Sequence, residues 1–150
     1  MNIQYKKKEY LQDAYEHKLF KILKQIASDS SGDLEVMPQV HLGRIIDMTC
    51  SPLTSKCKYF LHHGMNQLSF DFVLFNKSLQ PLLAIELDGI SHTQFKRKTR
   101  DSFVQEICRE AELPLLRIPI SDNYDVEKLS KEIKGKINQS VFPCLAKCLK

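Results

Sequence analysis

Two apolar segments that end in acids constrain this chain more than any other feature. Ser69-Phe-Asp-Phe-Val-Leu-Phe75 and Leu82-Leu-Ala-Ile-Glu-Leu-Asp88 flank the polar segment Asn76-Lys-Ser-Leu-Gln-Pro81. Their aromatic and branched residues, with turn formers between them, predict two strands joined as a hairpin. Side chains alternate faces along a strand, so Asp71 shares a face with Ser69, Val73 and Phe75, and Glu86 and Asp88 share one with Ala84. A hairpin that joins those faces gathers three carboxylates at one end of two apolar strands. Ionised carboxylates are costly in such a setting unless they are paired, hydrogen-bonded or bound to a metal. The convergence points to a metal site; capping of Asp71 by backbone amides at a strand end is the structural alternative.

The rest of the chain supplies a frame for that hairpin. At 150 residues it is long enough for one hydrophobic core, and we expect a single domain over 1–150 with its core at about 10–120. Lys6 to about Ala27 predicts an amphipathic helix with Leu19, Phe20, Leu23 and Ala27 on its buried stripe. Glu16 lies on that stripe, either turned toward a cleft or serving as a first-turn acid of a helix that starts later. Leu34 to Leu42 predicts a strand that Pro38 confines to a sheet edge or a bulge. Between Gly43 and Gly64, Ile45 and Ile46 suggest a short helix and Pro52 to His63 another, with Tyr59, Phe60 and Leu61 as core. His92 to about Glu112 predicts a helix buried through Phe103, Val104, Ile107, Cys108 and Ala111. Pro114 to Ile120 reads as a short strand. Asp125 caps a last helix, about 125–139, whose inner face is Val126, Leu129, Ile133 and Ile137.

In this setting Phe70-Asp-Phe-Val, Ala84-Ile-Glu-Leu-Asp-Gly89 with His92, Arg100-Asp101 and Leu113-Pro-Leu-Leu-Arg-Ile118 resemble the PD-(D/E)XK, restriction-endonuclease-like superfamily. They are similar in particular to a branch related to very-short-patch repair endonucleases, and to a bacterial family of uncharacterised domains with a DFVL…AIELD…SH…RD…PLLRI pattern. Glu16 with Leu19-Phe20 matches an N-terminal helical acid of that branch. The resemblance implies an α/β fold with an αβββαβ core, a central mixed four-stranded sheet flanked by helices. It implies that Asp71, Glu86 and the backbone carbonyl of Leu87 hold a metal. One position departs from the pattern: Asp88 stands where the superfamily usually has a lysine. Lys96, Lys98 or Arg100 from the following helix would then have to supply the positive charge.

Phosphodiester hydrolysis needs an activated water, neutralised phosphate charge and help for the leaving oxygen, and a carboxylate-held divalent cation meets these needs. Magnesium, or manganese in its place, takes oxygen ligands and keeps several waters, so two or three carboxylates suffice. Asp71 and Glu86 are the expected ligands, with Asp88 and Glu16 as candidates for a second ion or for orienting water. Asp88-Gly89 reads equally as a turn pair. His92 is a candidate general base, aided by Ser91, because imidazole titrates near neutrality; a surface residue beside the helix start is the plainer reading. Lys96, Arg97, Lys98 and Arg100 are expected to contact nucleic-acid phosphates, and the formal net charge of +4 suits such a partner. Arg117 either touches phosphate or simply buries its stem. Asp101 and Gln105, one helical turn apart near the edge of the buried stripe, either face the cleft or form a solvated helix pair, the plainer reading.

The five cysteines, Cys50, Cys57, Cys108, Cys144 and Cys148, lack paired spacing. We therefore expect reduced thiols and a cytoplasmic location, with no membrane span and no signal peptide. Cys108 reads as core, and zinc held by cysteines with His62 and His63 is a weaker alternative. The expected function is a metal-dependent nuclease acting on DNA. The alternative is a nuclease-like module without turnover that binds nucleic acid or a protein partner.

Overall fold

The computed structural model describes residues 3–30, 33–47, 68–89 and 94–141, except for the side chains of 94–100, 140 and 141. Helix α1 (Ala14–Asp29) begins at Ala14 rather than Lys6, and a capping box explains the start. The Glu16 amide donates to Asp13 Oδ1 at 2.8 Å, and the Asp13 amide donates to Glu16 Oε2 at 2.9 Å. Two helix-end amides are thereby satisfied where the chain enters the helix. Residues before Asp13 are almost all exposed and have little core to turn toward.

Strand β1 (Leu34–His41) leads into a 3₁₀ turn at Leu42–Arg44, where a short helix was expected around Ile45 and Ile46. The second helix expected between Pro52 and His63 lies outside the described residues, as do Tyr59, Phe60 and Leu61. Strands β2 (Ser69–Asn76) and β3 (Pro81–Asp88) form the expected hairpin. In its turn the Asn76 side-chain oxygen accepts from the Ser78 and Gln80 amides. Helix α2 (Gln94–Glu110) crosses over to β4 (Leu115–Pro119), and α3 (Val126–Val141) follows. Asp125 caps α3 as expected, its Oδ1 accepting from the Lys128 amide at 3.0 Å.

The fold is mixed α/β: the described residues form one four-stranded sheet in the order β1-β2-β3-β4, flanked by three helices. The first two pairings are antiparallel and β3–β4 is parallel, as a helical crossover requires. Two cores result. On one face Leu19, Leu23 and Ile26 of α1 and Leu129 and Ile133 of α3 meet Phe72, Leu74, Leu83 and Ile85. On the other, Val104 and Cys108 of α2 meet Val73, Phe75 and Ala84, while Phe70 joins Leu42 and Ile46. β2 is thus covered on both sides, which explains why it reads as nearly continuous apolar sequence. Ala111 is exposed rather than buried, because α2 has already ended at Glu110. Among the described residues, no helix is long and apolar enough to cross a membrane.

Candidate functional site

The candidate acids sit where the hairpin opens. Paired positions of β2 and β3 run from Phe75↔Pro81 back to Phe72↔Ile85. One step further the same register sets Asp71 opposite Glu86. There the Leu87 amide donates to Asp71 Oδ2 at 2.8 Å, so a carboxylate has replaced a main-chain acceptor. The main chain of β3 shows why. The Ala84 amide donates to the Pro114 carbonyl and the Asp88 carbonyl accepts from the Ile120 amide, so even-numbered residues of β3 turn their polar groups toward β4. Odd-numbered residues turn theirs toward β2. The amide and carbonyl of Leu87 therefore both face the gap that Asp71 enters.

The neighbouring strands extend this row across the sheet. In the parallel pairing Glu86 stands beside Arg117, and a guanidinium nitrogen lies 3.5 Å from Glu86 Oε2. The second terminal nitrogen of Arg117 is 3.4 Å from Asp101 Oδ1 on α2, and the first reaches the Asp101 carbonyl. The side chains of Glu86 and Arg117 are only 14% and 27% exposed, so this pair is shielded much more than an ordinary surface ion pair. Burial pushes the Cys108 thiol up to about 12; the Glu86 charge adds to that shift and Arg117 opposes it. Both groups therefore act on the α2 side of the sheet.

On the other flank, the β1–β2 pairs Pro38↔Phe72 and Val40↔Phe70 bracket Gln39 opposite Asp71. Gln39 has φ of 53°, a left-handed conformation that is uncommon for a non-glycine residue in a strand. Its Nε2 donates to Glu16 Oε1 at 3.0 Å. Glu16 is thus a first-turn acid of a helix that starts late, with one oxygen on the Asp13 amide and the other on Gln39. It ties α1 to the strand beside Asp71, each of its oxygens accepting one hydrogen bond.

Asp88 is the exposed last residue of β3, still bonded through its carbonyl to Ile120, so it is a strand residue rather than a turn. Among the described residues, no group of three or more histidine, cysteine, aspartate or glutamate side chains is close enough to hold one metal. Lys96, Arg97, Lys98 and Arg100 fall in the first two turns of α2, but their side chains are outside the described residues. His92, Ser91, Cys50, Cys57, His62, His63, Cys144 and Cys148 also lie outside them. Sequence reasoning missed the Arg117–Asp101 contact and favoured a solvated helix pair over a cleft-facing position for Asp101. The available signal was register: a parallel β3–β4 pair sets the arginine of Leu-Leu-Arg-Ile beside the glutamate of Ile-Glu-Leu.

Residues 8–137 match the family described as Protein of unknown function (DUF2726). An uncharacterised protein of Haemophilus influenzae is 25% identical over 105 residues, 70% of this chain and 51% of the relative. The chain therefore spans about half the length of that relative. No solved structure matches the chain.

Proposed function

The chain belongs to the DUF2726 family, and from that premise we propose that it is a metal-dependent nuclease of the PD-(D/E)XK type, hydrolysing phosphodiester bonds of DNA. The observation that carries the reading is the placement of Asp71 opposite Glu86 where β2 and β3 part. Two hard oxygen donors side by side on apolar strands fit magnesium or manganese, which need only one or two carboxylates besides water and phosphate. They do not fit zinc, which prefers a closed set of sulfur and nitrogen ligands. When bound, such a cation supplies charge neutralisation at the phosphate and a lowered pKa for the attacking water.

The residues have distinct tasks in this proposal. Asp71 and Glu86 hold the cation, with the Leu87 carbonyl facing the same gap. The Leu87 amide fixes the Asp71 carboxylate in place. The basic first turns of α2 hold the phosphate backbone, and the excess of 22 lysines and arginines over 18 acids favours a polyanionic partner. His92 is the base candidate. Glu16, with both oxygens engaged, is assigned to the scaffold. A cytoplasmic setting remains part of the proposal, since the odd cysteine count favours reduced thiols.

The test is cleavage of plasmid and single-stranded DNA with Mg²⁺ or Mn²⁺ by the wild type, Asp71→Ala and Glu86→Ala. Metal-dependent cleavage by the wild type alone is expected. A folded wild type that binds DNA and never cuts it would refute turnover. It would favour the second reading, a binding module, which Asp88 in the usual lysine position supports.

A further inference from the structure

Arg117 is the one described cation that lies directly in the carboxylate row, and its surroundings are two-sided. Glu86 lies 3.5 Å away on β3 and Asp101 3.4 Å away on α2, with the Asp101 carbonyl as a further acceptor. A guanidinium held between two acids on different elements has one anchor that can release it and one that keeps it. Glu86 is also a proposed ligand, so a divalent cation and Arg117 compete for the same carboxylate. We propose that Arg117 exchanges partners during the reaction: it leaves Glu86 as a divalent cation arrives and turns its fork to the scissile phosphate, while Asp101 holds it in reach. This rests on the nuclease reading above and names the residue that supplies the positive charge Asp88 cannot.

The geometry favours this role over a purely structural ion pair. The guanidinium is planar and charged at every working pH, and its parallel N–H groups match two phosphate oxygens as well as they match a carboxylate. It comes from β4, beside the proposed ligand, so it would reach a phosphate held through a cation at Asp71 and Glu86 without a large motion. Asp101 acts through Arg117 and is a positioning residue.

The experiment uses the full chain and two readouts. Mn²⁺ binding is titrated without nucleic acid, by the paramagnetic resonance of the free ion, and kcat and KM for DNA cleavage are measured separately. Removing the competing cation in Arg117→Gln tightens Mn²⁺ binding by at least about 10-fold, since cations a few ångströms apart repel strongly even at an effective dielectric near 20, yet lowers kcat by about 10²-fold. Arg117→Lys recovers part of kcat. Asp101→Asn moves metal affinity the opposite way, weakening it by about 2- to 3-fold because Arg117 then leans on Glu86. A structural role alone would weaken metal binding and cleavage together in both variants. Mn²⁺ affinity that is unchanged or weaker in a folded Arg117→Gln overturns the exchange, provided that the wild type binds and cuts and Glu86→Gln does neither. A wild type that neither binds Mn²⁺ nor cuts overturns the nuclease reading and this inference with it.

Discussion

Replacing Asp71 separates what its shape does from what its charge does. Its Oδ2 accepts the Leu87 amide at 2.8 Å, in a partly buried position where the β2–β3 ladder has ended. Asparagine keeps an oxygen that can accept the same N–H, so Asp71→Asn exchanges a charge-assisted bond for a neutral one. Alanine leaves the Leu87 amide with no protein acceptor. Hydrogen bonds to charged groups contribute ~1.5–3 kcal/mol, and neutral ones ~0.5–1.5 kcal/mol. Water can reach an opening hairpin, so the alanine cost falls at the lower end, ~1.5 kcal/mol, and the asparagine cost at ~0.5 kcal/mol or less. For a domain of this size those losses lower the melting temperature by about 3–6 °C and about 1–2 °C respectively. Amide exchange of Leu87, followed by NMR, locates the effect: it quickens markedly in Asp71→Ala and little in Asp71→Asn. Equal exchange and equal melting in wild type and Asp71→Ala would refute the claim that this carboxylate completes the ladder.

Three further outcomes follow from the same geometry. Asp13→Ala removes half of the α1 capping box and is expected to cost ~1 kcal/mol in thermal unfolding, while Asp13→Asn stays near wild type. Ile133, fully buried between α3 and the sheet, costs ~2–5 kcal/mol when cut to alanine, seen as a lower urea midpoint with an unchanged slope. Cys108, 1% exposed and with its thiol pushed up to about 12, should label with iodoacetamide at pH 8 at least ~10³-fold more slowly than a free thiol near 8.5. Peptide mapping would read this site apart from the other cysteines, and labelling at the free-thiol rate would contradict its burial. The sign of the linkage follows: the stability from burying the neutral thiol is complete below its unfolded value of 9.0 and is lost as pH rises toward about 12.

How much of this was legible depends on whether the signal is local. The β2–β3 hairpin announces itself through apolar composition and turn residues, and the alternation of Asp71, Glu86 and Ala84 follows from strand geometry alone. The α3 stripe of Leu129 and Ile133 and the Asp125 cap are equally local. The start of α1 was misplaced because Lys6 to Leu11 continue a helix-compatible pattern, whereas a capping box at Asp13 and Glu16 decides the boundary. Gln39 could not be foreseen, since glutamine carries no preference for a left-handed backbone and its side chain meets Glu16 on another element. The Glu86–Arg117–Asp101 arrangement was hidden for a related reason. It depends on a register between strands separated by a whole helix, and no periodicity in one segment records that register.

Among the described residues both outer strands of the sheet are blunt, which bears on main-chain pairing with other chains. On the outer strand β1, Pro38 withholds an N–H and the backbone of Gln39 turns left-handed. The outer strand β4 is only five residues long and ends at Pro119, and Pro114 precedes it. A proline or an irregular backbone on an outer strand offers a poor template for further main-chain pairing. The sheet is therefore guarded against growing by strand addition, whether from a second copy or from an unfolded neighbour. Among the described residues, neither outer strand gives an extended partner a long, regular margin to join.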